Sequence, residues 1–262
     1  MDNRPLGLFE SGVGGLSIWR AIRRLLPQES MLFLADSGNV PYGEKTTEQI
    51  RDLATRITRF LLAHDAKMIV VACNTAFTLA GTDLRAAFPH MKFVGTVPAI
   101  KPAAERTRSG LVSVLATPGT VKRAYTRDLI QSFASQCHVR LVGSVNLASM
   151  AEAYIRGEGV DDEALTAEIR DCFYEKDDAR TDIVVLACTH YPFLANVFRR
   201  LAPRPVDWID PAEAIARQAR RIVPVMDVLR ADSRPDRVVF TSDSPDFATR
   251  RLMQGFGLSL LV

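Results

Sequence analysis

Two similar α/β domains with parallel sheets are what this sequence predicts, on three observations. Short apolar runs recur along the chain and alternate with amphipathic stretches of helical period. Several runs are apolar at consecutive positions, as strands covered by helices on both faces are. Two of them end in the same way, with a cysteine directly after the apolar residues, 188 − 73 = 115 residues apart.

In chain order, Leu6 to Phe9 is the first expected strand, and Gly12 to Gly15 lead from it into a helix closed by Pro27. Met31 to Ala35 is the second strand. Thr46 followed by Gln49 forms a capping box before the long Ile50 to Ala63 helix. The strands Met68 to Ala72 and Phe93 to Gly95 follow, then Leu111 to Ala116, Val139 to Val142, Ile183 to Ala187, Val206 to Ile209 and Val238 to Thr241. A helix is expected from about Leu147, and each cysteine of the matching pair, Cys73 and Cys188, is expected to open a helix. Thr96-Val97-Pro98 and Asp210-Pro211 read as crossovers. The expected division is residues 1–96 plus 210–262 as the first domain, carrying Cys73, and 97–209 as the second, carrying Cys188.

Composition narrows the function. The 262 residues are 47% hydrophobic, enough to bury a large core. The net charge of +3 comes from 33 basic and 30 acidic residues spread along the chain, so nucleic acid is not the expected partner. No apolar stretch is long enough to span a bilayer, and Met1 to Pro5 lack the apolar core of a secretion signal. A cytoplasmic protein without membrane attachment is expected. The cysteines at 73, 137, 172 and 188 show no zinc spacing and should be thiols in that compartment, with no metal bound.

Taken singly, each cysteine reads as a small residue where strand meets helix. Two in matching contexts suggest chemistry. Inverting a stereocentre requires taking a proton from one face and returning one to the other, which a thiolate and a thiol can do from opposite sides. A cysteine ionises at about pH 8.5, and a helix N-terminus or a neighbouring cation brings the thiolate nearer neutrality. His190, two residues after Cys188, suits assistance to that proton transfer. The histidines at 64, 90 and 138 are expected on the surface.

The chain also carries Phe9-Glu10-Ser11-Gly12-Val13-Gly14-Gly15-Leu16, Val40-Pro41-Tyr42-Gly43-Glu44-Lys45, Ala72-Cys73-Asn74-Thr75, Ala116-Thr117-Pro118-Gly119-Thr120 and Cys188-Thr189-His190-Tyr191-Pro192. With these motifs in this order, from Leu6 to about Phe256, it resembles the glutamate racemases of the aspartate/glutamate racemase superfamily. The resemblance implies an active site between two α/β domains, no cofactor, and Cys73 and Cys188 as the acid/base pair, Cys73 acting on the D-isomer and Cys188 on the L-isomer. It further implies contacts to glutamate from Glu10, Ser11, Pro41, Tyr42, Gly43, Asn74, Thr75, Thr117, Thr120, Thr189 and His190. Glu10 and His190 would also assist catalysis, with Asp36 and Glu152 in support. The role implied is supply of D-glutamate for peptidoglycan, and a homodimer is expected.

Glu10 departs from the family pattern, which has aspartate there. The departure raises a glutamate-binding protein with reduced turnover as one further reading; a related racemase of aspartate or hydantoin type, told apart by a pocket size that sequence does not measure, is another. A dinucleotide site is a third, since Asp36 lies 36 − 14 = 22 residues beyond Gly14, but the third glycine of that fingerprint is missing.

Overall fold

A computed structural model describes residues 2–223, 235–242 and 244–261. Residues up to Thr96 together with those from Ala212 onward form one compact unit, and Val97–Pro211 form the other.

The first unit begins with β1 (Leu6–Glu10), α1 (Leu16–Leu25), β2 (Met31–Ala35), α2 (Thr47–Ala63), β3 (Met68–Val71), α3 (Asn74–Ala87) and β4 (Phe93–Gly95). These strands are parallel and, but for Glu10 at the end of β1, apolar where they are central: Leu6 pairs with Met31 on one side and Met68 on the other. Residues from α2, α3 and the sheet form one apolar cluster around Phe9, Leu61 and Val71. The Thr46 capping box forms, its Oγ1 accepting from the Gln49 N–H at 3.2 Å while Gln49 Oε1 accepts from the Thr46 N–H at 2.9 Å.

The second unit comprises α4 (Ile100–Arg106), β5 (Leu111–Ala116), α5 (Pro118–Val121), α6 (Ala124–Phe133), β6 (His138–Gly143), α7 (Leu147–Ile155), α8 (Asp162–Ile169), a small hairpin β7 (Glu175–Lys176) and β8 (Ala179–Arg180), β9 (Ile183–Leu186), α9 (Ala195–Leu201) and β10 (Asp207–Ile209). Its four-stranded sheet is parallel and packs apolar clusters on both faces.

The chain then returns to the first unit as α10 (Ala212–Ile222), β11 (Arg237–Phe240), α11 (Phe247–Gly255) and β12 (Ser259–Leu260). The helix α10 packs on α1, and β11 adds to the outer edge of β2 with Phe240 opposite Ala35. An ion pair from Arg23 to Asp236 ties this return down, and Asp236 Oδ1 also accepts from the Met31 N–H at 2.9 Å.

The segment after Cys188 differs from expectation. No α-helix opens there; Tyr191–Leu194 form a 3-10 turn and α9 starts only at Ala195. An α-helix would need the residue four beyond Cys188 to donate to its carbonyl. That residue is Pro192, which has no N–H. The Tyr191 N–H takes the Cys188 carbonyl instead, at 3.2 Å.

Candidate active site

The two sheets share one strand order. Four strands of the first unit run β2-β1-β3-β4, and the second unit runs β6-β5-β9-β10. Hence β1 corresponds to β5 and β3 to β9. Between these two strands the connections diverge to opposite sides of the sheet. In open α/β sheets that switch point leaves a crevice at the carboxyl ends, where ligands bind.

Each switch point carries one of the paired cysteines. Cys73 follows β3 and Cys188 follows β9, each one residue past an alanine. The Ala72 N–H donates to the Phe9 carbonyl at 2.8 Å, and the Ala187 N–H to the Leu115 carbonyl at 2.8 Å. On the other side of the first strands, Asp36 N–H donates to Glu10 O at 2.8 Å and Ser144 N–H to Ala116 O at 2.9 Å. The two thiols therefore hold the same place in the same local ladder. The remaining cysteines do not: Cys172 is in the core, where burial pushes its thiol up to about 12, and Cys137 is partly covered near the start of β6.

In the first unit, Cys73 caps α3 and is followed by buried Asn74 and Thr75. Both side-chain polar atoms of Asn74 are buried without a hydrogen-bond partner. That is costly in an apolar setting, and an amide so placed suits a ligand carrying a carboxylate and an ammonium. Glu10 ends β1, buried, with Oε1 accepting from Ser11 Oγ at 2.8 Å and Oε2 from the Gly12 N–H at 2.7 Å. Tyr42 is buried and donates to Asp36 Oδ2 at 2.6 Å. Burial, then the Asp36 carboxylate, hold this phenol far above its ordinary range, with the charges of Cys73 and Glu10 adding to the effect. Tyr42 is thus a neutral donor beside the thiol. Pro41, after a cis peptide bond from Val40, and Gly43 are exposed at the same turn.

In the second unit, Cys188 Sγ lies 3.6 Å from His190 Nδ1, and His190 Nε2 lies 3.0 Å from Glu152 Oε1 on α7. Since a carboxylate only accepts, Nε2 carries the proton. Nδ1 is the ring atom turned toward the sulfur, placed to exchange a proton with the thiol. Thr189 is buried beside them. Thr117 Oγ1 and Thr120 Oγ1 lie 3.2 Å apart at the end of β5, where Thr117 corresponds to Ser11 of the first unit.

The glycine turn does not suit a nucleotide. Its Gly12 N–H is already given to the Glu10 carboxylate, whose charge repels phosphate. Among the described residues, no three His, Cys, Asp or Glu side chains gather as a metal site. The model of the Asp/Glu/Hydantoin racemase family matches residues 15–219. The chain belongs to the Asp/Glu/Hydantoin racemase family.

It is an isomerase by that membership, and glutamate racemases are among its relatives. That of Sinorhizobium fredii is 64% identical over 260 residues, covering 99% of this chain and 97% of the relative. That of Brucella abortus is 59% identical over 257 residues, covering 97% and 93%. Among solved structures, the Escherichia coli glutamate racemase in complex with L-glutamate and the activator UDP-MurNAc-ala superposes with a TM-score of 0.88 at 36% identity, covering 98% of this chain and 97% of that one.

For a member of this racemase family, three polar contacts extend the residues legible in sequence. Asn39 Nδ2 and Thr241 Oγ1 both donate to Asp36 Oδ1, Asn39 at 2.9 Å. Arg156 Nη1 lies 3.5 Å from Glu152 Oε2. The Arg156 contact follows helical i,i+4 spacing and was there to be read. Thr241 had no such signal, being 205 residues from its partner.

Proposed function

We propose that this chain interconverts L- and D-glutamate with Cys73 and Cys188 as the two acid/base groups. The observation that supports this reading most is the equivalence of the two thiols, each at the switch point of a like sheet and anchored by the same backbone bond. The names of the relatives supply glutamate.

On this reading one substrate meets both sulfurs. Cys188 as thiolate takes the α-proton of L-glutamate, and the electron pair left on carbon delocalises into the α-carboxylate. Cys73 as thiol returns a proton to the opposite face, giving D-glutamate. The protonation states of the two sulfurs are then exchanged, which readies the enzyme for the D-isomer. His190 and Glu152 manage the proton of Cys188. Asn74, Thr75, Ser11 and the Tyr42–Gly43 turn hold the ligand from the first unit, with Thr117, Thr120 and Thr189 from the second. Preorganised neutral donors stabilise the developing charge without neutralising the thiolate. The product would serve peptidoglycan synthesis in the cytoplasm.

The test is incubation with L-glutamate, and separately D-glutamate, in D2O, following optical rotation and α-deuterium. Inversion in both directions is expected, and Cys73→Ser or Cys188→Ser should each abolish it. Aspartate in place of glutamate should turn over poorly; equal rates would favour the aspartate-type racemase. Glutamate binding without inversion or exchange would favour the binding-protein reading, for which the Glu10 departure speaks.

A further inference from the structure

Thr241 stands directly after β11, and its N–H donates to the Ala35 carbonyl at 3.2 Å, which carries the β11–β2 ladder one step past the end of the sheet. Its side chain thereby arrives at the carboxyl end of β2, beside Asp36. The Thr241 hydroxyl accepts from the Gly38 N–H at 3.1 Å and donates to Asp36 Oδ1. Its direction is fixed, because a carboxylate oxygen can only accept. Next to it, the Ser242 and Ser37 hydroxyls lie 2.6 Å apart. Asp36 is fully buried, and a buried carboxylate is tolerated only when donors saturate it. Three do: Thr241 and Asn39 on Oδ1, and the Tyr42 phenol on Oδ2.

We propose that Thr241 is a positioning residue for substrate binding: acting through Asp36, it fixes the Tyr42–Gly43 turn. This rests on the reading of the chain as a glutamate racemase whose substrate meets that turn. Removing the hydroxyl leaves Oδ1 to Asn39 alone and frees the Gly38 N–H, so Asp36, which holds Tyr42, loses a restraint together with the segment that leads to the turn. The turn would hold ground state and transition state alike. Its loosening therefore weakens binding uniformly, which appears in KM and not in kcat.

Thr241→Val keeps the shape and removes the hydroxyl, at an exposed position where folding should tolerate it. It is expected to raise KM about tenfold for both isomers, the size of one lost hydrogen bond to a charged group, with kcat within about twofold of the wild type. Thr241→Ser should restore KM, and Thr241→Ala should repeat the valine result. In an Asp36→Asn background, which itself raises KM, Thr241→Val should add less than about a twofold effect, since coupled residues are not additive. An unchanged KM, a fall in kcat alone, no rescue by serine, or full additivity with Asp36→Asn each overturn the inference while the racemase reading stands. A wild-type protein that neither inverts glutamate nor exchanges its α-proton overturns both.

Discussion

Under the proposed reaction, Glu10 is the residue whose side-chain length bears most directly on rate. Its carboxylate is turned back on its own loop, bound to Ser11 Oγ and the Gly12 N–H at 2.8 and 2.7 Å. Misplacement of a catalytic group by about 1 Å can cost on the order of a hundredfold in rate. Glu10→Asp is therefore expected to raise kcat in both directions, measured as initial rates of inversion from saturating L- and D-glutamate. A kcat that stays level or drops would show that the longer side chain is no handicap. At this scale the sequence shows residues whose neighbours in space are also neighbours in chain. Cys73, Asn74 and Thr75 sit together at one strand end, as do Cys188, Thr189 and His190. Glu152 reaches His190 from a different helix, and only folding brings that pair together.

Among the elements, α3 carries Cys73, and its placement depends on two glycines. Phe77, whose N–H donates to the Cys73 carbonyl at 3.0 Å, lays its ring where side chains at Gly95 and Gly81 would stand. A Cβ on Gly95 would lie 2.1 Å from that ring, which has the first turn of α3 behind it. Gly95→Ala is expected to destabilise the protein by about 1–3 kcal/mol through overpacking, read as a lower midpoint of urea unfolding. Buried strands such as β3 and β9 are visible in sequence because both faces are covered and every position is apolar. The elements missed are ruled by other forces. The hairpin of β7 and β8 is exposed and turns on Asp177 and Asp178, both at positive φ, 49° and 64°. Paired aspartates are the turn signal there, with no apolar pattern to accompany it. The two exposed residues of β12 offer none either.

For the molecule as a whole, the two units differ in how the chain makes them. Val97–Pro211 is one continuous stretch with its own sheet and its own apolar clusters. The other unit is assembled from both sides of it. Expressed alone, residues 97–211 are expected to unfold cooperatively in urea with retained far-ultraviolet dichroism, whereas residues 1–96 should not, lacking α10 against α1, β11 against β2 and the Asp236 partner of Arg23. A cooperative transition for 1–96 would show that the return is dispensable. The same arrangement orders events on the ribosome. Glu10 and Cys73 emerge early, yet β11, the strand that flanks Asp36, arrives only after the whole second unit, on the order of ten seconds later at translation rates of about 5–20 residues per second. Until then the apolar residues of β2 lack the strand that covers their outer hydrogen-bonding edge in the folded protein. The later-encoded unit, with Cys188, thus has all of its chain before the earlier-encoded one does.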